Sequence, residues 1–197
     1  MPDSALNNID IKSLSANYFE LLNLPAAFDI DKKVLRKNYK ALMSICHPDR
    51  FVAKSDAEKS AAVLATAHVT QAFNTLKSPP QRASYLLELL GYAVNFNASL
   101  STDTQFLMEQ LELRESLEKL VSCEDPDAEI QALMDHAGSL QTKEGQSFQA
   151  FYEQLSASVQ TESRESLFQN AHDSVLKLRF LEKFFEEIDA LQHKLLD

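Results

Sequence analysis

The chain has 197 residues, 45% of them hydrophobic and 24% charged, which is enough for one large or two small domains with real cores. Only three glycines and six prolines exclude turn-rich all-β architecture and any Gly-rich loop that could cradle phosphates, so the fold class expected is all-α. The net charge of −10 is uneven: residues 1–101 carry eleven Lys and Arg against nine Asp and Glu, and residues 102–197 carry eight against twenty. Such a split suggests two modules facing different partners, and the acidic one disfavours nucleic acid.

Met1 to about Ser15 is polar and aperiodic, and a mobile leader is expected there. Tyr18-Phe19-Glu20-Leu21-Leu22 reads as a short helix ending near Leu24-Pro25, because proline disfavours helical geometry in the residue before it. Asp29 or Asp31 can cap the next helix. In that helix Leu35, Tyr39, Leu42 and Cys46 recur at helical steps and form a buried stripe. Lys33, Arg36, Lys37 and Lys40 form an adjoining cationic stripe, for which a solvated face is the plain alternative.

Pro48 ends the basic helix and leaves His47 and Asp49 in a loop leading to Phe51. From Asp56 to Lys77 the pattern resumes, with Ala61, Leu64, Ala65, His68, Val69, Ala72, Phe73 and Leu76 expected on one face. The two helices would lie antiparallel with these stripes facing each other. Pro79-Pro80 opens a short helix stopped at Gly91. Residues 16–90 are therefore read as the first domain, 91–101 as a linker and 102–197 as the acidic domain. The latter reads as three amphipathic helices, about Thr102 to Ser122, Asp125-Pro126 to about Gln160, and Ser163 to Leu196, which would form a bundle.

Catalytic chemistry finds little to stand on. His47 and Asp49 flank a proline without a placed nucleophile, and His68, His136, His172 and His193 are scattered. Cys46 and Cys123 cannot make a disulfide framework or a Cys-rich zinc site, so no metal and no cofactor are expected, and a reducing cytoplasm fits. No signal peptide and no apolar run of spanning length is visible, so no membrane association is expected.

On the helix from Thr102, Phe106, Leu113, Leu117 and Leu120 share one side, adequate to join a bundle. Met108, Glu112 and Glu115 fall opposite, with Leu107 and Leu111 on the flank between. On the last helix Leu167, Ala171, Val175, Leu178, Phe185 and Ile188 form the expected core arc, and Phe180 points roughly away from it. An exposed Phe180 beside an exposed Leu/Met/Glu strip would make a partner-binding face.

The stretch from Tyr18 to Leu76, with a short helix, a basic helix, His47-Pro48-Asp49 and an antiparallel helix ending Ala72-Phe73-Asn74-Thr75-Leu76, resembles a J-domain. That resemblance implies contact of His47, Pro48, Asp49, Lys33, Arg36, Lys37 and Lys40 with an Hsp70-class chaperone and stimulation of its ATP hydrolysis. The stretches Phe106-Leu107-Met108-Glu109-Gln110-Leu111-Glu112-Leu113-Arg114-Glu115, Lys177-Leu178-Arg179-Phe180-Leu181, Arg82-Ala83-Ser84-Tyr85-Leu86-Leu87 and Lys194-Leu195-Leu196-Asp197 look like those of the HscB family. These are co-chaperones of iron–sulfur cluster assembly. The resemblance implies an L-shaped, two-domain protein that is not itself an enzyme. Its partners would be an HscA-like Hsp70 and an IscU-like scaffold, the latter bound through Leu107, Met108, Leu111, Glu112, Glu115 and Phe180. Lys119 stands where the family often has an acid. Two alternatives stay open: a J-protein serving a different Hsp70 client, and a helical adaptor whose His-Pro-Asp is only a helix stop.

Overall fold

The structure, a computed structural model, describes residues 17–98, 103–120, 125–157 and 161–196. The expected leader Met1–Ser15 and residues 99–101 of the expected linker lie outside the described residues. Every regular element among the described residues is helical: α1 (Tyr18–Leu21), α2 (Lys32–Cys46), a 3₁₀ turn (Pro48–Phe51), α3 (Asp56–Lys77), α4 (Pro79–Leu89), α5 (Thr104–Lys119), α6 (Pro126–Ala157) and α7 (Thr161–Leu196). The chain divides into two compact units, residues 1–82 and 83–197, with the division inside α4.

In the first unit each helix begins where a side chain can take up free backbone N–H groups. Asn17 Oδ1 accepts from Glu20 N at 3.0 Å, and Asp31 Oδ1 accepts from Lys33 N at 2.7 Å and Val34 N at 3.2 Å. Ser55 and Glu58 form a capping box at α3: Glu58 N donates to Ser55 Oγ at 3.3 Å, and Ser55 N donates to Glu58 Oε2 at 2.9 Å. The serine bonds hold the Glu58 carboxyl below its usual range.

Helices α2 and α3 run antiparallel. Tyr39 stacks on Phe73 with ring centroids 4.1 Å apart, Thr70 Oγ1 reaches Met43 Sδ, and Thr66 Oγ1 donates to Cys46 O at 2.9 Å, so positions descend α3 as they climb α2. Leu35 and Cys46 are buried as expected, with Tyr39 and Leu42 partly so. The stripe on α3 differs from the expected one. Ala62, Ala65, Val69, Ala72 and Leu76 are buried, whereas Ala61 is exposed and Leu64 is 68% exposed. Positions 62, 65, 69, 72 and 76 repeat at three and four and hold one line along the helix. Leu64 lies about 100° from Ala65 and falls off it.

Two polar side chains close the loop between α1 and α2. Asn38 Nδ2 donates to Leu22 O at 2.8 Å, beside Asn23, whose φ is +49°. The buried Arg82 guanidinium donates from Nε to Phe28 O at 2.7 Å and from Nη1 to Leu76 O at 2.5 Å, and lies over the Phe28 ring. Helix α4 ends in a Schellman turn: Tyr92 N donates to Leu87 O, Gly91 N to Glu88 O, and Gly91 takes the left-handed φ of +86° that a side chain would resist.

The second unit packs α5, α6 and α7 around Leu113, Leu120, Ile130, Leu133, Ala137, Leu140, Leu181, Phe184 and Ile188. The N-terminal end of α5 meets residues 143–151 of α6 and 170–177 of α7, while Leu117 and Glu118 near its other end meet Glu187 to Lys194 of α7. Helix α5 is thus parallel to α7, with α6 antiparallel to both. Before α5, the chain lies along α7: Tyr92 stacks on Phe168 with centroids 4.6 Å apart and accepts a hydrogen bond from Arg164 Nε at 3.0 Å. Arg179 sits 4.5 Å above the Phe96 ring.

Candidate functional site

Candidate surfaces occur in each unit. In the first, helical geometry ends at Cys46 because Pro48 holds His47 in extended backbone, φ −57° and ψ 129°. The chain then turns through Pro48–Phe51, and His47 Nδ1 accepts from Asp49 N at 3.3 Å. The same nitrogen lies 3.5 Å from Asp49 Oδ2. Folding the loop on itself fixes both side chains yet leaves them in solvent, His47 50% and Asp49 86% exposed.

Lys33, Arg36, Lys37 and Lys40 lie within a 100° arc of α2 and are all exposed. None of the ion pairs formed among the described residues involves them. Arg50 extends the same stripe, since its Nη1 donates to Ser44 O at 2.7 Å one turn beyond Lys40. That arginine carries no signal in the sequence, because nothing local shows a side chain folding back over the helix end. The arrangement offers donors, an acceptor and a cationic field, which suits recognition of an acidic surface.

In the second unit, Asp103 caps α5 through Oδ1, which accepts from Phe106 N at 3.0 Å. The core takes Phe106, Leu113 and Leu120, so the opposite side is left outward: Leu107 is 45%, Met108 62% and Leu111 58% exposed, with Glu112 and Glu115 also exposed. These five residues form one apolar strip edged by carboxylates. Phe180 does not join them as an exposed ring. It is half-buried against the core, edge-on to Phe106 at 5.7 Å and 84°, stacked near Phe184 at 6.2 Å, and covered by the Arg114 guanidinium 5.9 Å from its centroid. The expected core arc presumed one buried face, whereas α5 docks on the side of α7 reckoned as outward.

The sequence also gave no sign of an ion-pair cluster behind the strip. Asp103 Oδ2 lies 2.5 Å from Lys177 Nζ, and the buried Glu144 lies 3.5 Å from the same ammonium. Lys177 also stands 5.3 Å from the Phe106 ring centroid. The Lys177 hydrogen bond, assisted by Phe106 N–H, holds the Asp103 carboxyl below its usual range. Burial pulls Lys177 down, but the Asp103 hydrogen bond and the Glu144 charge outweigh it and leave the ammonium above its usual value. Among the described residues no group of three or more His, Cys, Asp or Glu could hold a metal ion, and no helix is long and apolar enough to cross a membrane.

Comparison with known proteins gives a consistent answer. Residues 102–189 match the family model described as the HSCB C-terminal oligomerisation domain. The chain is 39% identical to a co-chaperone protein HscB homolog of Shewanella amazonensis over 92% of its own length and 99% of that protein. It is 35% identical to a homolog of the same name from Vibrio cholerae, covering 91% and 99%. Among solved structures it is similar to the chaperone HscB from Vibrio cholerae, with TM-score 0.69 at 35% identity over 91% of this chain and 99% of that one. It is similar also to human co-chaperone protein HscB, with TM-score 0.72 at 25% identity over 90% and 83%. With identity of this degree running along nearly the whole of both chains, the protein belongs to the HscB family of co-chaperones.

Proposed function

We propose that this chain stimulates ATP hydrolysis by an HscA-like Hsp70 and delivers an IscU-like scaffold to it, supporting iron–sulfur cluster transfer, in the cytoplasm of a bacterium. Residues 16–90 act as the J-domain, residues 91–101 link it onward, and residues 102–197 carry the scaffold. The observation that carries this reading is the His47-Pro48-Asp49 loop, held by its own hydrogen bond, with His47 and Asp49 exposed at the end of a cationic stripe that joins none of the ion pairs among the described residues. Lys33, Arg36, Lys37 and Lys40 steer the Hsp70, and Pro48 limits the entropy lost when the loop docks. Leu107, Met108, Leu111, Glu112 and Glu115 receive the scaffold, and Phe180 acts from beneath them. Holding both partners at once raises the concentration of scaffold at the chaperone. The chain has no catalytic role of its own, and the cluster travels with the scaffold.

The test is a phosphate-release assay of the Hsp70 with the chain, with and without scaffold. Stimulation is expected from the wild type, enhanced by scaffold, and lost in His47→Gln while scaffold binding persists. Equal stimulation by His47→Gln would sink the J-domain reading. Stimulation indifferent to a scaffold that does not bind would assign the acidic unit a different client.

A further inference from the structure

Apolar packing and ionic bonds hold α5 in different ways. Phe106, Leu113 and Leu120 set which side of the helix faces the bundle, but hydrophobic burial is non-directional and leaves small rotations about the axis to be fixed by other bonds. One directional restraint is at the N-terminus. Asp103 uses one oxygen to cap α5 and the other to meet Lys177 of α7. Lys177 is itself fixed from two further sides, by Glu144 of α6 and by the Phe106 ring. Moving the ammonium would strand Glu144, a buried carboxylate, without a counter-charge, so the cluster resists displacement. Leu107 and Met108 follow the capped turn immediately, and Leu111 stands one turn later.

We propose that Lys177 is a positioning residue for the partner face: by clamping Asp103 it fixes the rotation of α5, and hence the direction in which Leu107, Met108 and Leu111 are presented. The inference rests on the reading of that strip as the scaffold-binding face. Lys177 touches no partner; it acts through the cap. It keeps the competent orientation dominant, and affinity falls in proportion to any loss of that population.

The experiment uses the full chain, titrated with an IscU-like scaffold by calorimetry, together with amide hydrogen exchange of the free protein. Lys177→Met is expected to bind about tenfold more weakly, with the acceleration of exchange greatest in the first two turns of α5 and a smaller one around Glu144 of α6. Asp103→Asn should match it, although an asparagine oxygen still caps Phe106 N. Lys177→Arg should restore both readouts to within about twofold of wild type, because a guanidinium can bridge the two carboxylates and the cleft lined by Lys177, of about 300 Å³, has room for it. Unchanged affinity in Lys177→Met, exchange accelerated evenly through α6 and α7, or no rescue by arginine would each overturn the proposal. A wild-type chain that fails to bind the scaffold would instead refute the scaffold reading. The exchange pattern of the free protein would then decide the clamp alone.

Discussion

Replacing Phe180 by alanine separates a ring that packs from a ring that only waits for a partner. Truncating a fully buried Phe costs about 3–5 kcal/mol. Phe180 is half-buried, so its transfer and cavity contribution is roughly half of that. The contacts with Phe106 and Phe184 add to it, since aromatic pairs are each worth about 0.5–1.5 kcal/mol beyond buried area. A loss of about 2.5–5.5 kcal/mol is therefore expected in the second unit. At roughly 4 °C per kcal/mol for a domain of this size, its thermal midpoint should fall by about 10–22 °C. Circular dichroism melting of the full chain checks this, with Leu111→Ala as the comparison: Leu111 is 58% exposed, and its truncation should stay within about 0.5 kcal/mol of wild type. Both variants should weaken scaffold binding, but only Phe180→Ala should do so at a cost in stability. A Phe180→Ala midpoint indistinguishable from that of Leu111→Ala would mean that the ring faces outward, and the packing argued for α5 on α7 would be wrong.

In the first unit, Arg82→Met should leave the carbonyls of Phe28 and Leu76 without the guanidinium and destabilise the unit by about 2–4 kcal/mol. Amide exchange should quicken through the loop before α2, and unchanged protection there would refute the role of Arg82. The pH dependence of the second unit follows from its ion-pair cluster. The Asp103 carboxyl is depressed below 3.8, so its contribution is fully present above that value and is lost as pH falls through the lower folded value. Lys177 is raised above 10.5, so its contribution is fully present below that value and is lost as pH rises through the higher folded value. The melting-point difference between wild type and Lys177→Met should be constant between these limits and should narrow outside them. An identical profile for that variant would remove the cluster from the account.

What could be read from the sequence was local in character. The proline at 48, the alternation of three and four along α2, and the Asp125-Pro126 start of α6 are properties of neighbouring residues, and they placed the helices to within a few positions. The apolar strip at 107, 108 and 111 was legible for the same reason, because it exceeds what one seam can bury. The Ser55–Glu58 box is legible as well, as a serine followed three residues later by a glutamate. Three things were not local. Leu64 was placed in the core and is exposed, because a stretch rich in alanine fits several stripes almost equally. Phe180 was placed outside because the angular reckoning presumed one buried face. Lys177 pairs with Asp103 and Glu144, 74 and 33 positions away, and no spacing rule reaches so far.

These nonlocal contacts explain why a run of five consecutive residues, Lys177-Leu178-Arg179-Phe180-Leu181, is informative at all. Successive side chains on a helix diverge by about 100°, so five of them sweep the full circumference. A helix with one buried face would spend two of the five on its core and leave the others in solvent. Here Leu178 and Leu181 are fully buried, Lys177 reaches Asp103 and Glu144, Arg179 covers Phe96, and Phe180 meets Phe106 and Arg114. Helix α7 is therefore contacted on every side at this level, and the run presents little free surface, with Lys177, Arg179 and Phe180 partly buried and Leu178 and Leu181 fully so. Its constraint is inward. The exposed apolar surface at this level is on α5, which gives one side to the bundle and leaves Leu107, Met108 and Leu111 in solvent. Under the proposed function, specificity for a partner then depends on two separable things, the chemistry of the α5 strip and the grip of α7 that aims it.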